Sequence, residues 1–102
     1  MRVIKPSRLR EYGEAQARAR KSLENWYAMT RKASWRHFVD VRKMFGSADE
    51  AKVKSGKSVV IFNIGGNNYR LICAIHYDRQ KVYVLRFLTH AEYDKNNWKL
   101  TL

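Results

Sequence analysis

Arg70, Arg86, Lys57, His90 and Tyr93 are the side chains of this sequence best suited to act on a phosphate. A guanidinium binds phosphate oxygens through paired N–H donors, and an ammonium adds a point charge. An imidazole titrates near neutral pH and can take or give a proton. A phenol can donate a hydrogen bond or stack on a base. Cleaving RNA without a metal requires these parts: a group that deprotonates the 2′-OH, cations for the pentavalent phosphorane, and an acid for the leaving oxygen. Arg70, Arg86, His90 and Tyr93 are therefore the candidate catalytic residues, and Lys57, Asn63, Asn67 and His76 the candidate RNA contacts. Some have a plainer reading when taken singly. His76 in mid-strand and His37 on a helix are as readily structural or surface residues, and Lys57 beside Gly56 a loop lysine.

The charge of the chain favours the same substrate class. Its 102 residues carry 21 Lys plus Arg against 9 Asp plus Glu, a formal net charge of +12. Such a surplus promotes binding to polyanions, because neutralising phosphates releases condensed counterions. Solubility alone needs less charge and can use either sign. An acidic protein partner remains compatible with the same surplus. The basic side chains are densest in residues 1–43, with 12 basic and 4 acidic groups.

Several function classes are excluded. Hydrophobic residues make up 45% of the chain, too many for a disordered tail. The lone Cys73 rules out an intramolecular disulfide framework and a Cys-rich zinc module. There is no Gly-rich phosphate loop ahead of a helix, no His-x-x-x-His pair and no Asp/Glu cluster for magnesium, so neither metal nor cofactor is expected. Apolar runs such as Val59 to Phe62 are far too short to span a bilayer, and no apolar segment follows Arg2 and Lys5 to make a signal peptide. The expectation is a single cytoplasmic domain over residues 1–102, with no membrane partner.

The elements that must position these residues follow from periodicity. Residues 1–5 suit a short strand stopped by Pro6, and Ser7 offers an N-cap oxygen. Leu9, Tyr12, Gln16, Ala19, Leu23, Trp26 and Thr30 recur at spacings of three and four, which predicts one long helix with this stripe in the core. Gly13 within it marks a kink or a close contact. A second helix is predicted from Ser34, with Trp35, Phe38, Val39, Arg42 and Phe45 on one face and Gly46 as a stop. Residues 46–57 read as a loop. From Ser58 the period changes to two, giving strands over 58–63, 69–77 and 82–89, the first two joined by a two-residue glycine turn. Thr89-His90-Ala91-Glu92 is a capping box that starts a short C-terminal helix. The order β-α-α-β-β-β-α predicts an α+β fold.

Strand register decides which side chains meet. Either two-residue turn around Gly66 places Lys57, Ile61 and Asn63 on the face of Arg70, Ile72 and His76. Val60, Phe62, Leu71 and Cys73 then point to the helices. An odd number of unpaired residues around Gln80 sets Arg86 beside Ala74, on the Arg70 face, and avoids burying an arginine under the helices. The expected site is that face, holding Lys57, Asn63, Arg70, His76 and Arg86 and edged by His90 and Tyr93.

The stretch from Phe62 to Ile72, with its Gly65-Gly66-Asn67 turn and following Tyr69-Arg70-Leu71, and the later Thr89-His-Ala-Glu-Tyr-Asp94 resemble the signatures of the HigB-type toxins of bacterial toxin–antitoxin modules. The resemblance implies a RelE-like fold: an N-terminal strand and two helices packed on one face of a mostly antiparallel sheet, with a short C-terminal helix. It implies an mRNA interferase that cuts messenger RNA on the translating ribosome without a metal. It also implies a cognate helix-turn-helix antitoxin of the HigA type, with operator DNA bound only through the toxin–antitoxin complex. By position, Arg70 and Arg86 match the strand arginines, Lys57 a basic group ahead of the sheet, and His90 and Tyr93 the C-terminal acid/base and stacking groups. The alternative is a non-catalytic RNA- or ribosome-binding module, for which the same basic face suffices. A DNA-binding repressor fits less well, because neither helix pair forms a clear short-turn recognition unit.

Overall fold

A computed structural model describes residues 1–102. Five strands, β1 (Arg2–Ile4), β2 (Asp49–Lys52), β3 (Ser58–Ile64), β4 (Tyr69–His76) and β5 (Lys81–Thr89), form one sheet in the order β1-β5-β4-β3-β2. All neighbours are antiparallel except β1 and β5. Alternation sends Val60, Phe62, Leu71, Cys73, Val82 and Val84 to one face, where they are buried with Leu9, Leu23, Trp26 and Val41 of the helices. Trp26 meets Phe62 edge-on, with ring centroids 5.3 Å apart. Helices on the Cys73 side of a mostly antiparallel sheet are the architecture that the sequence predicts. No helix is long and apolar enough to cross a membrane.

The predicted long helix is two. α1 (Ser7–Ala15) ends where Gln16 leaves the helical region at φ −127°, ψ 82°. A 3-10 turn over Ala17–Ala19 then leads into α2 (Arg20–Lys32), which packs on α1. The stripe remains in the core, since Leu9, Ala19, Leu23, Trp26 and Thr30 are all buried. Gly13 is the close contact: a Cβ there would lie 3.4 Å from the Arg20 Cα. The next helix, α3 (Phe38–Met44), starts later than Ser34, because Ala33 and His37 are extended. Trp35 is buried from the segment ahead of α3, whereas Val39 faces solvent.

Residues 46–57 are not all loop. β2 pairs with β3 from Asp49 opposite Ile61 to Lys52 opposite Ser58. Its polar composition hides it because it is an edge strand, where charged side chains discourage pairing with other molecules. Between β3 and β4 the turn is four residues, Gly65 to Asn68, with Gly65 and Gly66 at φ +62° and +68°. Asn63 still falls opposite Arg70, so the predicted parity of β3 and β4 holds.

The connection from β4 to β5 corrects the predicted register. His76 pairs with Lys81, leaving four residues unpaired, a length that by itself would turn Arg86 toward the helices. A bulge opposite Ile72 and Cys73 inserts one residue into β5 and restores Arg86 to the Arg70 face, beside Ile72 and not Ala74. The sequence carries no glycine or proline at Leu85–Arg86 to announce the bulge.

That face has its own apolar cover. α4 (His90–Asp94) and α5 (Trp98–Thr101) fold across it, and Trp98 is buried with Val53, Val59, Ile61 and Ile72. The Lys54 N–H donates to the Lys99 carbonyl at 2.9 Å, tying the loop after β2 to α5.

Tyr77, just past β4, supplies a pH signature of this packing. Its hydroxyl is buried without a protein hydrogen-bond partner. Burial first, then Glu50 and Asp40, push its pKa up to about 12. A folded value above the unfolded value of about 10 means that the neutral phenol is favoured by folding, so this stability is intact below pH about 10 and is lost as pH rises through about 12. Urea unfolding of the parent should therefore weaken across that window, and Tyr77→Phe should lessen the drop. An equally steep loss in Tyr77→Phe assigns the alkaline transition to other groups.

Candidate active site

β4 delivers Arg70 to one end of the sheet, and the glycine turn folds back over it. Nη1 donates to the carbonyls of Asn67 and Tyr69, both at 3.1 Å, and Nη2 donates to Asn67 Oδ1 at 2.6 Å. The residue is only 8% exposed, so these bonds carry the solvation its charge would otherwise lack. Arginine has five donors, and the Nε–H and one Nη2 hydrogen stay uncommitted. Asn67, expected as an RNA contact, is thus the clamp that orients Arg70. Asn63, half-buried, lies directly across the strand pair from Arg70.

The capping box forms as predicted. Thr89 Oγ1 accepts from the Glu92 N–H at 3.2 Å, and Glu92 Oε1 accepts from the Thr89 N–H at 2.9 Å. The His90 N–H donates to the Asn68 carbonyl at 2.9 Å, which seats α4 against the turn that holds Arg70. His90 Nδ1 lies 2.8 Å from Asp94 Oδ2, one helical turn on. With a neutral imidazole, Nδ1 carries the hydrogen donated to Asp94, and Nε2 is left as the acceptor at a side chain 44% exposed. Asp94 is a functional candidate that the sequence reading missed, although its spacing of four from His90 is the signal for it.

Tyr93 stands beside this pair. The Arg70 guanidinium lies over its ring at 5.4 Å, and the ring stacks on Trp98 at 5.3 Å and 15°. The Trp98 indole N–H donates to the Tyr93 carbonyl at 3.0 Å. The ring is thereby occupied, and the phenol is what Tyr93 offers a substrate. Its pKa is raised, first by burial, with Asp49 and Asp94 adding to the rise and Arg70 opposing it. The phenol therefore keeps its proton near neutral pH and can donate a hydrogen bond.

Arg86 is a diagonal neighbour of Arg70 on the same face, a separation of roughly 7–8 Å for such cross-strand pairs. Its Nη1 donates to the Leu85 carbonyl at 2.9 Å, and Nη2 lies 3.5 Å from Thr101 Oγ1. Arg86 and Trp98 help line a cavity of about 330 Å³ between β5 and the C-terminal helices.

Lys57 and His76 are elsewhere. Each lies six residues along its strand direction from Asn63 or Arg70, a distance of roughly 20 Å. His76 sits edge-on to Tyr83 at 5.0 Å, and Lys57 is exposed in the turn ahead of β3. The predicted single face is thus divided. Asn63, Asn67, Arg70, His90 and Tyr93 gather at one end with Arg86 adjacent, while Lys57 and His76 occupy the other. Trp98 and its apolar neighbours cover the ground between. Cys73 is buried on the helix side, where burial pushes its thiol up and leaves it inert.

His90–Asp94 is the sole ion pair in the molecule, so no lysine or arginine has a carboxylate within 4.0 Å. No three His, Cys, Asp or Glu side chains come together to hold a metal ion. The arrangement offers an oriented imidazole, a protonated phenol and arginines free to engage an anion.

Comparison with known proteins finds relatives of this chain. The mRNA interferase toxin HigB of Escherichia coli K12 is 41% identical over 34 residues, and so is the mRNA interferase HigB of Shigella flexneri. Each of these matches spans 33% of this chain and 33% of the relative. The mRNA interferase HigB of Escherichia coli O6:H1 is 27% identical over 74 residues, covering 72% of this chain and 70% of the relative. A family model described as HigB_toxin, RelE-like toxic component of a toxin-antitoxin system, matches residues 19–96, which include every candidate site residue. With that match over most of its length, an α+β fold and a site of unpaired arginines beside a histidine, the chain belongs to the HigB family of RelE-like toxic components of toxin–antitoxin systems.

Proposed function

We propose that this protein is a cytoplasmic toxin that cleaves mRNA, engaged on the translating ribosome, by attack of the 2′-OH on the neighbouring phosphate. The observation that carries the reading is the His90–Asp94 pair set beside Arg70 and Tyr93. His90 Nε2 takes the proton from the 2′-OH, and Asp94 holds the ring and stabilises the imidazolium formed. The 2′-oxygen bonds to phosphorus and the bond to the 5′-oxygen breaks, leaving a 2′,3′-cyclic phosphate and a 5′-hydroxyl. The free N–H groups of Arg70, and Arg86 beside it, stabilise the phosphorane. The Tyr93 phenol hydrogen-bonds the leaving 5′-oxygen, which takes its proton from water, and His90 releases the proton it accepted to water. Asn63 contacts the strand near the reacting phosphate, and Lys57 and His76 contact RNA or ribosome at the far end of the sheet. No step uses a metal.

A toxin of this kind must be restrained in its own cell. The partner is a helix-turn-helix antitoxin encoded alongside it, with acidic groups set against the +12 surface and operator DNA bound through the complex. Inducing the chain alone should arrest growth and fragment mRNA within translated reading frames. Co-expressing the adjacent antitoxin should yield a stable complex and restore growth. A chain that is harmless alone and leaves mRNA intact contradicts the proposal and favours a non-catalytic binding module.

A further inference from the structure

β5 has a neighbour on its outer side for only part of its length. β1 pairs with Lys81, Val82 and Tyr83, so beyond Tyr83 the outer edge of β5 has no adjoining strand. Two arginines distant in sequence reach that stretch. Arg8, in the first turn of α1, donates through Nη1 to the Val84 carbonyl at 2.9 Å, and Arg86 donates through Nη1 to the neighbouring Leu85 carbonyl at 2.9 Å. Both are half-buried, and neither has a carboxylate within 4.0 Å. Tyr12, one turn along α1 from Arg8, stacks on Phe87 with centroids 5.1 Å apart. Burial raises the pKa of its phenol; the Arg8 and Arg86 guanidiniums oppose that rise, and Cys73 and Glu11 add to it. Arg8 and Arg86 therefore hold successive carbonyls of one strand, and no carboxylate lies within 4.0 Å of either guanidinium.

Bringing two desolvated like charges together is unfavourable unless an anion joins them. A carbonyl occupies only part of each planar fork, and the remaining N–H groups suit phosphate oxygens. The geometry points to a phosphate subsite at the free edge of β5, with Arg8 and Arg86 as its donors and the Tyr12 hydroxyl beside them, holding the RNA backbone one step beyond the reacting phosphate. It rests on the reading of the chain as an RNA nuclease. RNA is favoured over an acidic protein because the subsite is continuous with the reacting end through Arg86, the diagonal neighbour of Arg70. Arg8 and Tyr12 lie outside the residues matched by the family model, so that comparison assigns them no role.

The test is binding of a single-stranded 2′-O-methyl RNA oligonucleotide, which has no free 2′-OH to attack, across a range of salt. Arg8→Gln keeps an N–H donor for the Val84 carbonyl and removes the charge. It should weaken binding by about tenfold and make the log–log salt slope shallower by about 0.7, the contribution of one single-strand phosphate contact. Arg8→Lys should restore the slope. Parental affinity and slope in Arg8→Gln overturn the subsite, as does a loss of affinity that leaves the slope unchanged. So does an effect of Arg8→Gln confined to the antitoxin complex, which would give this edge to a protein carboxylate. If the parent itself binds RNA without salt dependence, the nuclease reading fails, and the subsite with it.

Discussion

His90→Gln should slow cleavage of saturating RNA by about 10²–10⁴ while leaving RNA affinity near the parental value. Glutamine fills similar space and keeps hydrogen-bonding capacity, but it cannot accept and return a proton near neutral pH. The seat of the residue does not depend on its ring, since the His90 N–H donates to the Asn68 carbonyl and the Thr89–Glu92 capping box forms from other side chains. Loss of rate is therefore loss of chemistry. Asp94→Asn should move the rate in the same direction, because an amide donor opposite Nδ1 favours the tautomer that carries hydrogen on Nε2. Single-turnover rates beside equilibrium binding separate the two roles, since lost binding alone does not slow the saturated step. A His90→Gln protein that cuts at the parental rate removes His90 from proton transfer, and Tyr93 becomes the residue to test.

Arg70→Ala should lower the saturated rate by about 10²–10³, or roughly 3–4 kcal/mol of transition-state stabilisation. The expectation stands on the two donors of Arg70 left free while three others are fixed by Asn67 and Tyr69. Because the side chain is buried against the Tyr93 ring, alanine also leaves a cavity and exposes partner oxygens that lose their donors. Thermal unfolding should therefore accompany the kinetics. Arg70→Lys keeps the charge but has no fork with which to hold Asn67 and reach a phosphate together, so it should recover only part of the rate. A fall in unfolding temperature with an unchanged saturated rate would make Arg70 a structural residue alone.

Much of the fold was legible because period and composition agree. Val60, Phe62, Leu71 and Cys73 alternate cleanly, and the glycine turn preserves the parity that puts Asn63 across from Arg70. The gathering of Asn63, Arg70, His90 and Tyr93 at one end of the sheet was legible for the same reason, helped by a capping box that fixes where α4 begins. What escaped depended on single-residue shifts. The bulge at Leu85–Arg86 has no marker residue, and without it the four-residue connection after His76 would have turned Arg86 to the other face. β2 is too polar to show period two, and a stripe that fits one helix fits equally the two helices joined at Gln16. Trp98 was the largest omission. Once it covers Ile61 and Ile72, the sheet face is a buried layer with the candidate side chains at its ends, and Lys57 and His76 are no longer together with Arg70.

If this chain breaks RNA through the 2′-OH with its own side chains, the cut ends carry the record of it. The direct measurement is the chemistry of the ends produced by the purified protein, in the presence of a chelator, on ribosome-bound mRNA. The expected products are 5′-hydroxyl fragments whose partners end in a 2′,3′-cyclic phosphate or its opened 3′-phosphate, formed as fast with chelator as without. Fragments ending in a 5′-phosphate and a 3′-hydroxyl, or cleavage abolished by the chelator, would contradict that route.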